Sequence, residues 1–266
     1  MDKIKVAVNG AAGKMGRHVI SAIAGCRDLE LTGAVDLVEV GVDAGKLAGR
    51  EPLGVTVTAN LAELLQQGET DVLVDFTTPM AIMKNIELAL SQRVTPVVGT
   101  TGISEKDLDR IQSWVSRYKT GAIIAPNFAL GAILMMKLAQ VCARFFPQVE
   151  IIELHHNGKI DAPSGTAIKT AQLIAAARRE QPPRPESLEK IPGTRGGNLE
   201  GIQIHSVRLP GLIAHQQVIF GGEGQTLTIK QDSLSRLSFM PGVLEAIRRA
   251  PTVKELVYGM ENLLEL

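Results

Sequence analysis

The densest chemistry in the chain lies in Glu153-Leu154-His155-His156-Asn157-Gly158-Lys159-Ile160-Asp161-Ala162-Pro163-Ser164-Gly165-Thr166-Ala167. Histidine titrates near neutrality and lysine carries a full positive charge, so such a cluster can move protons and hold an anion. Adjacent side chains on a strand point to opposite faces, so His155 and His156 are expected to take two different roles unless the strand ends between them. A shared metal is not expected, because no HxH, HExxH or paired cysteine lies nearby. Ser164-Gly165-Thr166 precedes the helical pattern Ala167, Ile168, Ala171, Leu173 and Ile174. A helix start leaves backbone N–H groups unsatisfied, an anion site for a carboxylate or phosphate, to which Lys159 adds its charge. The competing reading is an ordinary N-cap beside a surface lysine; the His-His pair upstream favours the chemical one.

A second constellation is the turn Gly10-Ala11-Ala12-Gly13-Lys14-Met15-Gly16, which follows an apolar strand and opens a helix with Val19, Ile20 and Ile23. Glycines let backbone N–H groups approach a pyrophosphate, and the helix start adds favourable charge. The spacing is GxxGxxG, weak by itself. Asp36 strengthens it, ending the second strand 20 residues after Gly16, where an acid accepts from adenosine ribose hydroxyls. Dinucleotide binding is therefore expected. Asp36 repels a 2′-phosphate and favours NADH, Lys14 and Arg17 can offset that repulsion, and Leu37 offers no charge, so NADH and NADPH both stay open. Asp75-Phe76-Thr77-Thr78, Gly99-Thr100-Thr101-Gly102 and Ala125-Pro126-Asn127-Phe128 each follow an apolar strand. Their small and hydroxylated residues are expected to line the nicotinamide and ribose site, with Phe128 as an apolar wall, unless they are plain turn chemistry.

The elements that must position these residues alternate in the first half: strands at 4–9, 31–35, 71–76, 96–99 and 122–126 with helices between them, the rhythm of a parallel sheet. Thr78 with Pro79, and Ser104 with Asp107, read as helix starts. After Asn127 come a helix, a strand over 149–156, a helix from Ser164 to about Arg179, and a polar, proline-bearing stretch over 181–197 that reads as a mobile loop. The runs 201–209, 212–220 and 225–231 read as consecutive antiparallel strands. Helical periodicity returns from Pro241 to the end, with Leu244, Ile247, Leu256, Val257, Met260, Leu263 and Leu264 on buried faces. The chain shows no repeat and no low-complexity tract.

With 266 residues, 45% of them apolar, the chain can bury a sizeable core. Twenty-eight basic side chains balance 28 acidic ones, which argues against nucleic acid as the main partner. Cys26 and Cys142 lie far apart and suit neither a disulfide scaffold nor a thiolate metal site, so a reducing cytoplasm is expected. The N-terminus shows no secretion signal. The apolar run 129–146 is interrupted by Lys137, Gln140 and Arg144, which excludes a membrane span there.

GAAGKMG (10–16), DFTTP (75–79), GTTG (99–102), APNFALG (125–131) and above all ELHHNGKIDAPSGTA (153–167) resemble the 4-hydroxy-tetrahydrodipicolinate reductase family, also called dihydrodipicolinate reductases, of bacterial and plant lysine biosynthesis. RGG (195–197) and SRLSF (235–239) resemble further segments of that family. The resemblance implies an α/β fold: a Rossmann-like parallel-sheet domain over 1–127, completed by C-terminal helices over 237–266, and a central mixed-sheet domain over 128–236 for substrate and tetramer contacts. It implies NADH or NADPH as coenzyme, held by Gly10, Ala11, Ala12, Gly13, Lys14, Met15, Gly16, Asp36, Phe76, Thr77, Gly99, Thr100, Thr101, Ala125, Pro126, Asn127 and Phe128. Hydride would reach ring C4 of a cyclic dicarboxylic imine after loss of water. By the same resemblance His155 is the general acid/base, Lys159 a proton donor or electrostatic stabiliser, and His156, Lys159, Ser164, Gly165 and Thr166 hold the substrate carboxylates. No metal, membrane or nucleic acid is implied; a homotetramer is, in the cytoplasm, or in the plastid stroma for a plant chain shorn of its transit peptide. Lys14, where many members have arginine, and Leu37, in place of a basic residue, are departures that bear on coenzyme choice. On the residues alone, a dinucleotide-sensing module without catalysis and a reductase of another small anion stay open.

Overall fold

The computed structural model describes residues 2–180 and 188–266, which form two compact units: one of the described residues up to 128 together with 239–266, the other of the described residues between 129 and 238. Among the described residues no helix is long and apolar enough to cross a membrane.

In the first unit, the apolar runs of the sequence become strands buried on both faces. Val6, Ala7 and Val8, then Val72, Leu73 and Val74, then Val97 and Val98 are all inaccessible to solvent, as expected where helices cover both sides of a parallel sheet. The strands are β1 (Ile4–Asn9), β2 (Leu29–Val35), β3 (Val57–Thr58), β4 (Val72–Asp75), β5 (Thr95–Val98), β6 (Ala122–Ile124) and β12 (Leu256–Tyr258). They lie in the order β12-β6-β5-β4-β1-β2-β3, all parallel. The order reverses at β1, with β2 on one side and β4 on the other; in open α/β sheets ligands bind at the carboxyl ends of strands beside such a reversal. Helix α1 (Lys14–Ala24) buries Gly16, Val19, Ile20 and Ile23. Helix α5 (Glu105–Tyr118) starts with the expected capping box of Ser104 and Asp107.

Two expectations need correction here. Helix α4 (Ile82–Ser91) begins at Ile82 with no side-chain cap. The Thr78 carbonyl accepts from the N–H groups of Ala81 and Ile82, so Thr78 and Pro79 belong to a closed turn that delays the helix. The tail is not helical throughout either. Helix α8 (Met240–Arg249) passes through a 3₁₀ turn at Ala250–Thr252 into strand β12, before the short α9 (Met260–Leu263). Pro251 cannot continue a helix, and Leu256, Val257 and Tyr258 pair in parallel with Ala122, Ile123 and Ile124. A three-residue edge strand carries too little pattern to be told from a helical stripe.

The second unit is a mixed sheet with helices α6 (Leu130–Cys142) and α7 (Gly165–Ala177). Its strands are β7 (Gln148–His155), β8 (Gly197–Leu199), β9 (Ile202–Arg208), β10 (Ala214–Gly222) and β11 (Gln225–Ser233), in the order β11-β10-β7-β9-β8. Ile151, Val218, Phe220, Ile202 and Ile204 pack against Met135, Ala139, Ala167, Ala171 and Ile174 to make its core. The expected antiparallel pair β10 and β11 is present, but β9 and β10 are not neighbours. Strand β7 lies between them, parallel to β9 and antiparallel to β10. Its alternation of Val149 and Ile151 inward names the face it buries and is the same for a central strand as for an edge strand. Of the stretch expected to be a mobile loop, residues 181–187 lie outside the described residues; 188–196 are bends and turns leading into β8.

Candidate active site

At the carboxyl edge of the first sheet the glycine turn is shaped by contact as much as by conformation. Gly10 has φ +82°, and a Cβ there would lie 2.5 Å from the Phe76 carbonyl oxygen. At Gly16 a Cβ would overlap the Gly10 carbonyl oxygen, so only glycine lets α1 approach the turn this closely. Gly13 is the N-cap of α1 and supplies no capping side chain. The first-turn amides of Lys14, Met15 and Gly16 therefore have no intrahelical partner, and the helix dipole adds positive potential where no acidic side chain offsets it. This uncapped helix start fits the pyrophosphate of a dinucleotide.

Asp36 closes on the same turn. Its carboxylate accepts from the Ala12 N–H at 2.9 Å and the Val38 N–H at 3.2 Å. Arg17 is occupied: it donates to the carbonyls of Ala12 and Leu47, both at 2.9 Å, and pairs with Glu39 at 3.6 Å. Lys14 and Leu37 are exposed.

The ends of β1, β4 and β5 meet at a residue to which the sequence assigns no role. Asp75 is 1% exposed and accepts from Asn9 at 2.8 Å, Asn85 at 2.9 Å, the Thr77 hydroxyl at 2.7 Å, the Thr77 N–H at 3.0 Å and the Thr100 hydroxyl at 3.2 Å. It ties the ends of β1 and β4 to the start of α4 and to the loop after β5. Phe76 lies against Gly99, where a Cβ would overlap its ring, and packs on Phe128 with centroids 5.8 Å apart. Phe128 and Ala125 are buried, whereas Thr101 and Pro126 are exposed.

In the second unit, β7 ends at His155, between the two histidines, so strand alternation does not set them apart; burial does, with His155 half-buried on the strand and His156 exposed at the start of a turn closed by the Lys159 N–H on the His156 carbonyl. Glu153, on the same strand face as Val149 and Ile151, has a fully buried side chain. It contacts His155 Nδ1 in a very short hydrogen bond and accepts two bonds from Arg208, at 2.7 and 3.0 Å. Arg208 also donates to the Asp161 carbonyl at 2.8 Å. Burial alone would raise the Glu153 carboxyl, but the hydrogen bonds of Arg208, Ser206 and His155 outweigh it and hold the group below its usual range. His155 moves down as well, chiefly by burial, helped by the charges of Lys159 and Arg208 and opposed by Glu153. That shift favours the neutral ring.

Lys159 faces Asp161, whose carboxylate oxygens both lie 2.8 Å from its ammonium; that pairing first, against a small effect of burial, lowers the Asp161 carboxyl. Ser164 is buried and caps α7, accepting from the Ala167 N–H at 3.2 Å. This leaves the amides of Gly165 and Thr166 at the helix start. A Cβ on Gly165 would meet nothing within 4 Å, so the approach to these amides is open. Behind them Gln216 donates to Thr170 and Thr170 to the Thr166 carbonyl, at 2.8 and 2.7 Å. Of the residues missed by the sequence reading, Glu153 carried a signal: an acid in phase with two inward apolar positions, two residues before a histidine. Arg208 carried none, because it enters from another strand.

Residues 4–128 match the family described as "Dihydrodipicolinate reductase, N-terminus" and residues 131–264 that described as "Dihydrodipicolinate reductase, C-terminus". The chain is 52% identical to the 4-hydroxy-tetrahydrodipicolinate reductase of Desulfitobacterium hafniense over the whole of both chains. It is 51% identical to that of Moorella thermoacetica over 98% of each. Among solved structures, the dipicolinate-bound dihydrodipicolinate reductase of Paenisporosarcina sp. TG-14 superposes with a TM-score of 0.88 at 45% identity, covering 98% of this chain and 99% of that one. An amine dehydrogenase from Mycobacterium smegmatis, 13% identical with a TM-score of 0.66 over 97% of this chain and 95% of its own, shares the fold alone.

Proposed function

The chain belongs to the dihydrodipicolinate reductase family, and from that premise we propose how its residues divide the work. It catalyses the NAD(P)H-dependent reduction of 4-hydroxy-tetrahydrodipicolinate in diaminopimelate and lysine biosynthesis. Residues 1–127 with 237–266 form the coenzyme domain, and 128–236 the substrate and assembly domain. The turn of residues 10–16 holds the pyrophosphate through the free amides of Lys14, Met15 and Gly16, Asp36 takes the adenosine ribose, and Phe76, Thr77, Gly99, Thr100, Thr101 and residues 125–128 line the nicotinamide end. When bound, the coenzyme supplies the hydride that ring C4 receives. The dicarboxylate is held by the Gly165 and Thr166 amides, with Ser164 fixing their helix start, and by His156 and Lys159. The dipicolinate carried by the Paenisporosarcina relative supports a doubly negative ring as ligand.

His155, neutral with Nε2 unprotonated, takes a proton from the ring carbon between C4 and the imine as the C4–O bond breaks. Lys159 protonates the departing hydroxyl, which leaves as water. His155 then returns its proton to the same ring carbon once C4 is reduced, so the net change consumes one hydride and one proton and releases one water. The observation that carries this reading is a half-buried histidine, held by a buried acid, ten residues before an open helix start. His155→Gln is expected to lower kcat by about 10²- to 10⁴-fold and leave the Kd for NADH unchanged in a fluorescence titration; undiminished turnover would remove His155 from the role.

For the coenzyme, Asp36 disfavours a 2′-phosphate and Arg17 is already engaged, so NADH is the better substrate and NADPH the poorer one. Asp36→Asn should raise kcat/KM for NADPH relative to NADH by about tenfold, the size of a 1.4 kcal/mol change in charge repulsion; a ratio that stays put contradicts the assignment. The free thiols of Cys26 and Cys142 support a reducing cytoplasmic setting. The mixed sheet supports the homotetramer expected of the family, which sedimentation velocity measures directly.

A further inference from the structure

His155 has two ring nitrogens, and the proton can sit on either; the chemistry above works only with Nε2 free. A carboxylate below its usual range is ionised at neutral pH and accepts only. Glu153 is such a group: its side chain is fully buried, and its partners are His155 Nδ1, Arg208 and Ser206. Nδ1 must therefore be the donor.

Arg208 completes the arrangement. Its guanidinium, 19% exposed, makes a two-pronged contact with Glu153 and reaches the carbonyl of Asp161, in the loop that carries Lys159. A planar fork can brace two segments at once in a way an ammonium cannot. The charged groups facing the His155 ring are Glu153 on its own strand, Arg208 on β9, and Lys159 with its partner Asp161 on the following loop.

We propose that Glu153 and Arg208 are positioning residues: the clamped carboxylate fixes His155 with its proton on Nδ1 and its Nε2 lone pair directed to the substrate, while Arg208 holds the Lys159 loop in register with that ring. The proposal rests on His155 as the acid/base group. Second-layer partners of this kind set the tautomer and orientation of a working histidine, and their loss is costly even when the histidine remains.

The test uses the full-length protein without coenzyme, its histidines labelled with ¹⁵N. Wild type at pH 7.5 should show the neutral Nδ1–H tautomer for His155, assigned by its loss in His155→Gln; a neutral Nε2–H ring there overturns the proposal, whatever any variant does. In Glu153→Gln the tautomer should become mixed. The ring should also titrate at lower pH than in wild type, because the carboxylate hydrogen-bonded to it, which favours its protonated form, is gone. In steady state the same variant should lose about 10- to 10³-fold in kcat, with KM for the imine and Kd for pyridine-2,6-dicarboxylate within about threefold of wild type. The acid limb of kcat/KM should move down with the titration. Arg208→Lys should keep the tautomer and lose less rate than Arg208→Met. A Glu153→Gln enzyme that is slow but keeps its tautomer and titration would make Glu153 merely structural and overturn the inference, while leaving the His155 reading intact. Full turnover in His155→Gln would instead remove that reading and leave the tautomer result standing.

Discussion

Asp75 binds five hydrogen-bond donors from three strand-end segments and a helix, none of them charged. A buried carboxylate without a counter-ion is stable only when its acceptor capacity is filled. Asp75→Asn puts an amide donor in the path of donors from Asn9, Asn85, Thr77 and Thr100. We expect it to lower unfolding stability by about 2–4 kcal/mol and to weaken NADH binding through displacement of Thr77 and Thr100. Urea denaturation and coenzyme titration check both, and a variant within about 0.5 kcal/mol of wild type would show the network to be dispensable. In the sequence Asp75 is only the polar letter that ends an apolar run, because no local pattern reveals which neighbours will converge on a strand end. The tight turn of Gly10, Gly13 and Gly16 is legible for the opposite reason: it is built within one strand–turn–helix unit, where spacing along the chain is spacing in space.

At the scale of elements, β7 shows what alternation does and does not disclose. Its inward residues Val149 and Ile151 follow from the letters; its end at His155, one residue short of the run read as strand, does not. That β7 separates β9 from β10 does not, since a strand's pattern names the face it buries and leaves its flanking strands open. The same limit hid β12, whose Leu256 and Val257 fitted a helical stripe equally well. The charges on β7 make the second unit acid-sensitive. Glu150, where the bonds of His205 and Arg195 outweigh burial, and Glu153 both lie below the ordinary glutamate value of 4.5. Their stabilising effect is complete above that value and is lost as pH falls through the lower folded values. His155 lies below its ordinary 6.5, chiefly by burial, so its stabilising effect too is present above about 6.5 and fades as pH falls through its folded value. The signs agree. The urea midpoint of the second unit, followed by hydrogen exchange in β7 and β9, should fall steadily from pH 7 to pH 4, and a flat profile would contradict these assignments.

For the whole molecule, the chain leaves the first unit after Phe128 and returns at Phe239, and the two crossings adjoin one another within that unit. A Cβ on Gly242, in the first turn of α8, would overlap the Phe128 carbonyl oxygen. The first unit is therefore interrupted in sequence and continuous in space. Joining residue 128 to residue 239 through a short Gly/Ser linker should give a cooperatively folding protein that binds NADH within about tenfold of the parent and has no affinity for pyridine-2,6-dicarboxylate. An insoluble or non-binding product would mean that the first unit depends on the inserted one. The seam at Phe128 and Gly242 also has an evolutionary reading. On the division of labour proposed above, exchange of the guest segment through that one doorway would change what the protein reduces and leave its source of electrons untouched.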